Sequence, residues 1–268
     1  MKTFLLFLLT TTSLLAQTPT QRVKDEAADA AQTFLTSLSP ELRKKATYPF
    51  GDEERFNWHF VPRTRNGLPL KQMNPDQRKA AMAVLKTGLS EEGYRKVTEI
   101  IDLENVLRVV ENRPTTDLYR DPENYSFTIF GEPEKTEPWG WRVEGHHLSM
   151  QFSSLTGRVV GLTPLFLGSN PAEVRVDVPQ KGRRVLKEET DVAFALLKTL
   201  SADQQKLAVL NPVAYPDIIT GNERRASLDK MEGLTLKEMT AAQRKLFLEL
   251  VQVYLNRYRL TLARQQFD

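Results

Sequence analysis

The apolar and polar positions divide the chain into helical outer parts and an alternating middle. Thr20–Leu38 places Val23, Ala27, Ala30, Ala31, Phe34, Leu35 and Leu38 on one side of a helix, the three-to-four spacing of a core-facing stripe. Ser39-Pro40-Glu41 starts a second helix, with a hydroxyl cap and a proline in the first turn. Asn74-Pro75-Asp76-Gln77 opens a third, to about Thr87, with Gln77 completing a capping box. Ser90-Glu91-Glu92 opens a fourth, to about Val110. Arg113–Asn124 is a loop, and beyond it the period changes to two. Tyr125–Phe130 reads as a strand ended by Gly131-Glu132-Pro133. From Trp139 the alternation places Trp139, Trp141, Val143, Gly145, His147, Ser149 and Gln151 on one face. Arg142, Glu144, His146, Leu148, Met150 and Phe152 fall on the other. On this reading one long strand leads from a polar site into packed core, Ser154–Gly157 turns, and Arg158–Leu162 returns antiparallel. Glu173–Val178 alternates as a further strand. Helices follow at Leu186–Leu200, at Ser201–Leu210 and from Thr240 to about Arg264.

Two segments share a pattern. Gly67-Leu68-Pro69-Leu70-Lys71-Gln72-Met73 matches Gly233-Leu234-Thr235-Leu236-Lys237-Glu238-Met239, and Gln77-Arg78-Lys79 matches Gln243-Arg244-Lys245. Leu38-Ser39 and Leu200-Ser201 precede them in the same order. A helix, a long loop and a second helix thus recur on each side of the strands. The expected fold is a single α+β domain over residues 17–268: a small central antiparallel sheet at 124–180, flanked by helical arms at 20–110 and 183–264 of duplicated origin.

Composition narrows the setting. Met1–Ala16 carries one lysine, an apolar run and a small residue before a cleavage point, the layout of a secretory signal peptide. Its apolar run is short and broken by Thr11, Thr12 and Ser13, so stable membrane insertion is not expected. The expected location is secreted or periplasmic. The chain has no cysteine, so thiol catalysis, thiolate metal sites and disulfides are excluded. With 37 basic against 34 acidic residues it is close to neutral, which gives no electrostatic case for a nucleic-acid partner.

Candidate chemistry gathers around the three histidines, all near tryptophans: Trp58-His59 in the long loop Tyr48–Gly67, and His146-His147 after Trp139 and Trp141. Imidazole transfers protons near neutral pH and binds transition metals. One reading is a hydrolytic, acid–base site using His59, His147, Glu144 and Arg142. A second is a mononuclear divalent-metal site using His59, His146 and His147 with a carboxylate. No HxH or HxxxH spacing points to it. A third is non-catalytic capture of a small molecule or peptide by Trp58, Trp139 and Trp141, anchored by Arg63, Arg142, His147 and Asn170. No GxSxG, GxGxxG or phosphate loop is present.

Three segments carry a resemblance: Asn57-Trp58-His59-Phe60-Val61-Pro62 with Arg65-x-Gly67-Leu68; Trp139-Gly-Trp141-Arg142-x-Glu144-Gly145-His146-His147-Leu148-Ser149; and Thr163-Pro164-x-Phe166-x-Gly168-Ser169-Asn170-Pro171-Ala172. Together they resemble domain of unknown function 3500, over most of the chain. That resemblance implies no substrate or mechanism. It implies only that these segments matter.

Overall fold

In the computed structural model, the described residues are 19–267 apart from Lys135, Thr156 and Gly157. The leader read at Met1–Ala16, and the middle of the turn read at Ser154–Gly157, lie outside them. The fold is α+β, with eight helices and one mixed sheet among the described residues.

The N-terminal arm forms α1 (Pro19–Ser37), α2 (Pro40–Ala46), α3 (Pro75–Gly88) and α4 (Glu91–Val110). Its caps work as the sequence predicts: Ser39, Asn74 and Ser90 accept the backbone N–H of Leu42, Gln77 and Gly93. The sheet centres on an antiparallel meander of β3 (Ser126–Phe130), β4 (Trp139–Gly145) and β5 (Leu148–Leu155). Short strands flank it: β1 (Thr47–Tyr48) and β2 (Leu68–Pro69) on β3, β6 (Arg158–Gly161) and β7 (Leu165–Leu167) on β5. Among the described residues only the β1–β3 pairing is parallel. The C-terminal arm comprises α5 (Lys187–Thr199), α6 (Ala202–Ala208), α7 (Ala241–Leu255) and α8 (Leu260–Phe267).

The main departure from the sequence reading lies at the histidines. Trp139–Phe152 is not one strand. Gly145 pairs with Leu148, and His146-His147 is the two-residue connection of a hairpin. His147 has φ 56° and His146 is not left-handed, the sign pattern of a type II turn, whose second central residue is usually glycine. The reversal changes what faces what. Register pairs Trp141 with Phe152 and with Ile129, and Val143 with Met150 and with Phe127. Leu148, Met150 and Phe152 therefore share the tryptophan face, packed with Ala27, Ala31, Phe34, Val84 and Leu262 in one core. The opposite face is polar: Ser126, Thr128, Arg142, Glu144, Ser149 and Gln151, all buried.

Two further expectations change. Glu173–Val178 forms no strand. Val174 exchanges local hydrogen bonds with Gly182 and Arg183, closing a turn, and Glu173, Arg175 and Asp177 stay exposed. The closing helix is two helices. At the break Arg257 turns inward to Glu189 at 2.7 Å, and the Tyr258 hydroxyl donates to the Leu162 carbonyl.

The two arms share construction. Gly67 and Gly233 both have positive φ, a 3-10 turn follows each, and Asn74 and Thr240 head capping boxes with Gln77 and Gln243. Gln77 Nε2 donates to the Ser37 carbonyl and Gln243 Nε2 to that of Thr199, each at the end of the arm's first helix.

Candidate functional site

A polar sheet face cannot stay buried without partners, and the loop between β1 and β2 supplies them. Within it Asp52 caps a 3-10 turn, Glu53–Phe56, by accepting the N–H of Glu54. This aims Glu54 at β4. Arg142, fully buried, donates to the Glu54 carbonyl at 2.6 Å and to its carboxylate at 2.5 Å, and lies 3.2 Å from Glu144. The other Glu54 oxygen accepts from Asn57 and Asn66. Glu144 accepts the backbone N–H of His59 at 3.1 Å and lies 3.9 Å from Arg65 Nε. Arg65 in turn donates to the carbonyls of Val61 and Gly145.

The two carboxyls respond differently. Burial pushes Glu54 up, but hydrogen bonds from Asn57, Asn66 and Arg142 outweigh it and hold the group below its usual 4.5. Burial dominates at Glu144 and raises it, opposed only in part by Arg142 and Arg65.

The hairpin turn is held from both sides. His147 N–H donates to the Phe60 carbonyl at 2.7 Å, and Gly168 N–H donates to the His147 carbonyl. Phe60 stacks on Phe166 at 4.2 Å. The three segments that carry the family resemblance therefore meet at this turn. The imidazoles, however, serve different partners. His59 Nδ1 accepts the N–H groups of Phe60 and Val61. Burial, Arg63 and Arg65 lower its pKa. His147 Nδ1 is buried without a partner among the described residues, and burial, His146 and Arg120 hold the ring down to about 4. His146 Nδ1 lies 2.5 Å from Glu104, a residue of α4. Arg120 Nη1 lies 3.2 and 3.3 Å from the two ring nitrogens of His146. Tyr125 donates to the His146 carbonyl at 2.9 Å.

Among the described residues no three histidine or acidic side chains form a metal-ligand set, so His59, His146 and His147 do not share a coordination site. Trp139 and Trp141 lie in the core at 1% and 2% exposure, on the face away from Arg142. Trp58 is half-buried and Asn170 is exposed.

A cleft of about 450 Å³ opens over His146. Glu104, Tyr125 and His146 form its buried side, Leu118 and Tyr119 an exposed apolar wall, and Lys45, Arg63 and Lys71 bring positive charge. Lys71 is partly matched by Asp121 at 3.8 Å. Lys45 bonds to the neutral Gln72, and Arg63 to Asn57. Sequence reasoning missed Glu104, Arg120 and Tyr125. Glu104 sits in a helix where its neighbours give no local signal.

The chain matches the family described as Protein of unknown function (DUF3500) over residues 20–268 and belongs to it. No curated protein and no solved structure matches the chain. No helix among the described residues is long and apolar enough to cross a membrane.

Proposed function

We propose that this member of the family is an enzyme acting by acid–base catalysis in the cleft over His146, on a small substrate bearing an anionic group. The observation that carries the reading is the 2.5 Å contact between Glu104 and His146 Nδ1 at the buried side of that cleft. A carboxylate on Nδ1 fixes the tautomer with the proton there, and Nε2, which faces Arg120 Nη1 at 3.3 Å, would act as the base once water takes the place of that contact. Hydrolysis is the simplest chemistry: Nε2 accepts a proton from water as that water attacks, then returns it to the leaving group. Arg63, which bonds only neutral groups among the described residues, and Lys45, loosely paired with Glu41 at 3.9 Å, would bind the anion. The Arg142–Glu54–Glu144–Arg65 network would be positioning machinery, holding the loop that forms one wall. The leader-like Met1–Ala16 supports a substrate met outside the cytoplasm. The parallel construction of the two arms supports an internal duplication, with only the first arm's loop carrying a histidine.

The test is a screen of carboxylate- and phosphate-bearing esters and amides with the wild type, His146→Gln and Lys45→Gln/Arg63→Gln. His146→Gln is expected to lose roughly 10²–10⁴-fold in turnover. The double variant is expected chiefly to raise KM. Turnover unchanged in His146→Gln would overturn the assignment.

A further inference from the structure

We propose a second, separate binding site for hydroxyaromatic carboxylates, in the cleft between the Glu53–Phe56 turn and the β5–β7 edge. This cleft holds about 470 Å³ and is lined by Phe50, Phe56, Trp58, Gln151, Pro164 and Arg224, together with Arg55.

Three features define the ligand. The first is two guanidiniums crowded against one ring. The Arg55 guanidinium lies 4.3 Å from the ring centres of both Phe50 and Phe56, and the Arg224 guanidinium 3.6 Å from that of Phe56. One phenyl ring thus carries two cations. Among the described residues Arg55 has no ion-pair partner. Arg224 has Glu53 alone, at 3.5 Å. Burial first, then the repulsion from Arg224, lowers the pKa of Arg55, against the pull of Glu53. Among the described residues Glu223 is the single acidic group on the lining. A carboxylate between the guanidiniums would relieve this repulsion, and guanidinium geometry suits it. The second feature is shape: Trp58, half-buried, and Pro164 offer flat apolar surfaces for a ring. The third is Gln151, 6% exposed: its amide oxygen is shut off from solvent, and its amide nitrogen makes no hydrogen bond among the described residues. That nitrogen can donate to a phenolic oxygen at the cleft wall. Anion, ring and phenolic oxygen together describe a hydroxybenzoate-like molecule.

The reporter is intrinsic. Trp139 and Trp141 are buried at 1% and 2% exposure, so Trp58 alone answers to a ligand in this cleft. Titration with 4-hydroxybenzoate should give saturable quenching, and Trp58→Phe should abolish the signal. Arg224→Gln, on an exposed loop, should weaken binding about tenfold or more, and Arg55→Gln likewise if its thermal transition matches the wild type. Gln151→Leu should remove the preference for 4-hydroxybenzoate over benzoate. Inorganic phosphate and phenol should bind far more weakly. Non-saturating quenching, equal binding of phosphate, or an Arg224→Gln affinity matching the wild type would overturn the proposal. His146→Gln should leave this titration unchanged, so the outcome is independent of the activity over His146.

Discussion

The backbone N–H of His59 donates to the Glu144 carboxylate across 3.1 Å. That bond joins the long N-terminal loop to the central strand, but it spends the main chain of His59 rather than its ring. Glu144 is thereby a structural acceptor, and its partner Arg142 the centre of a buried ionic cluster.

Arg142→Met should be strongly destabilising. It would leave Glu54 and Glu144 buried beside each other without their common cation, and breaking one side of a buried ion pair costs about 3–5 kcal/mol. Urea denaturation should show a midpoint loss of that order. A loss under about 1 kcal/mol would mean that the cluster is hydrated rather than dry.

Stability should decline as the medium is acidified, in two stages. His147 is held down to about 4 against an ordinary 6.5. Between those values the unfolded chain takes up a proton that the folded chain refuses, so stability falls with pH through that window. Glu54, held below 4.5, extends the loss further down, because its stabilisation disappears as it protonates. Glu144 opposes the trend: its raised value lets the folded state take up a proton first. His147→Asn removes the upper titration and tolerates the left-handed backbone, so denaturation midpoints measured near neutrality and near pH about 5 should converge in that variant.

Gly93→Ala should destabilise although it lies in α4, where glycine-to-alanine in a free helix gains about 1 kcal/mol. A Cβ at Gly93 would meet the Arg257 carbonyl oxygen at 2.0 Å, and backbone cannot yield as a side chain can. The thermal midpoint should drop. A rise would show that the α7–α8 link moves freely over α4.

Tyr125→Phe deletes the hydroxyl that holds the His146 carbonyl. The cost should be about 1 kcal/mol, with a larger fractional loss in turnover over His146 than in stability, since the turn that aims the imidazole loses its brace. Equal retention of activity would place the turn's rigidity elsewhere.

Much of this architecture was legible because helix starts are written in short, local codes. Ser39, Asn74, Ser90, Ser201 and Thr240 each cap the helix that their spacing announces. The meeting of the Trp58-His59 loop with the mid-chain strand was foreshadowed by three aromatic-rich segments, though its contacts run through backbone groups. The hairpin at His146-His147 was hidden for a physical reason. Alternation continues unbroken in print across a two-residue reversal, and the left-handed position falls on a histidine instead of glycine. The helix break at Asn256 was hidden likewise, because Arg257 and Tyr258 are drawn inward by Glu189 and Leu162, far away in the chain. Glu104 and Arg120 could be linked to His146 only by folding.

The loop between β1 and β2 borders both clefts, its Phe50–Trp58 half facing one and its Pro62–Gly67 half the other. Arg63 is exposed at its crest. One tryptic cut there would sever the partition between the two clefts, and a ligand bound in either one would register that single backbone break. Sensitivity to limited digestion, with and without each small molecule, thus becomes a readout of how two chambers share one wall.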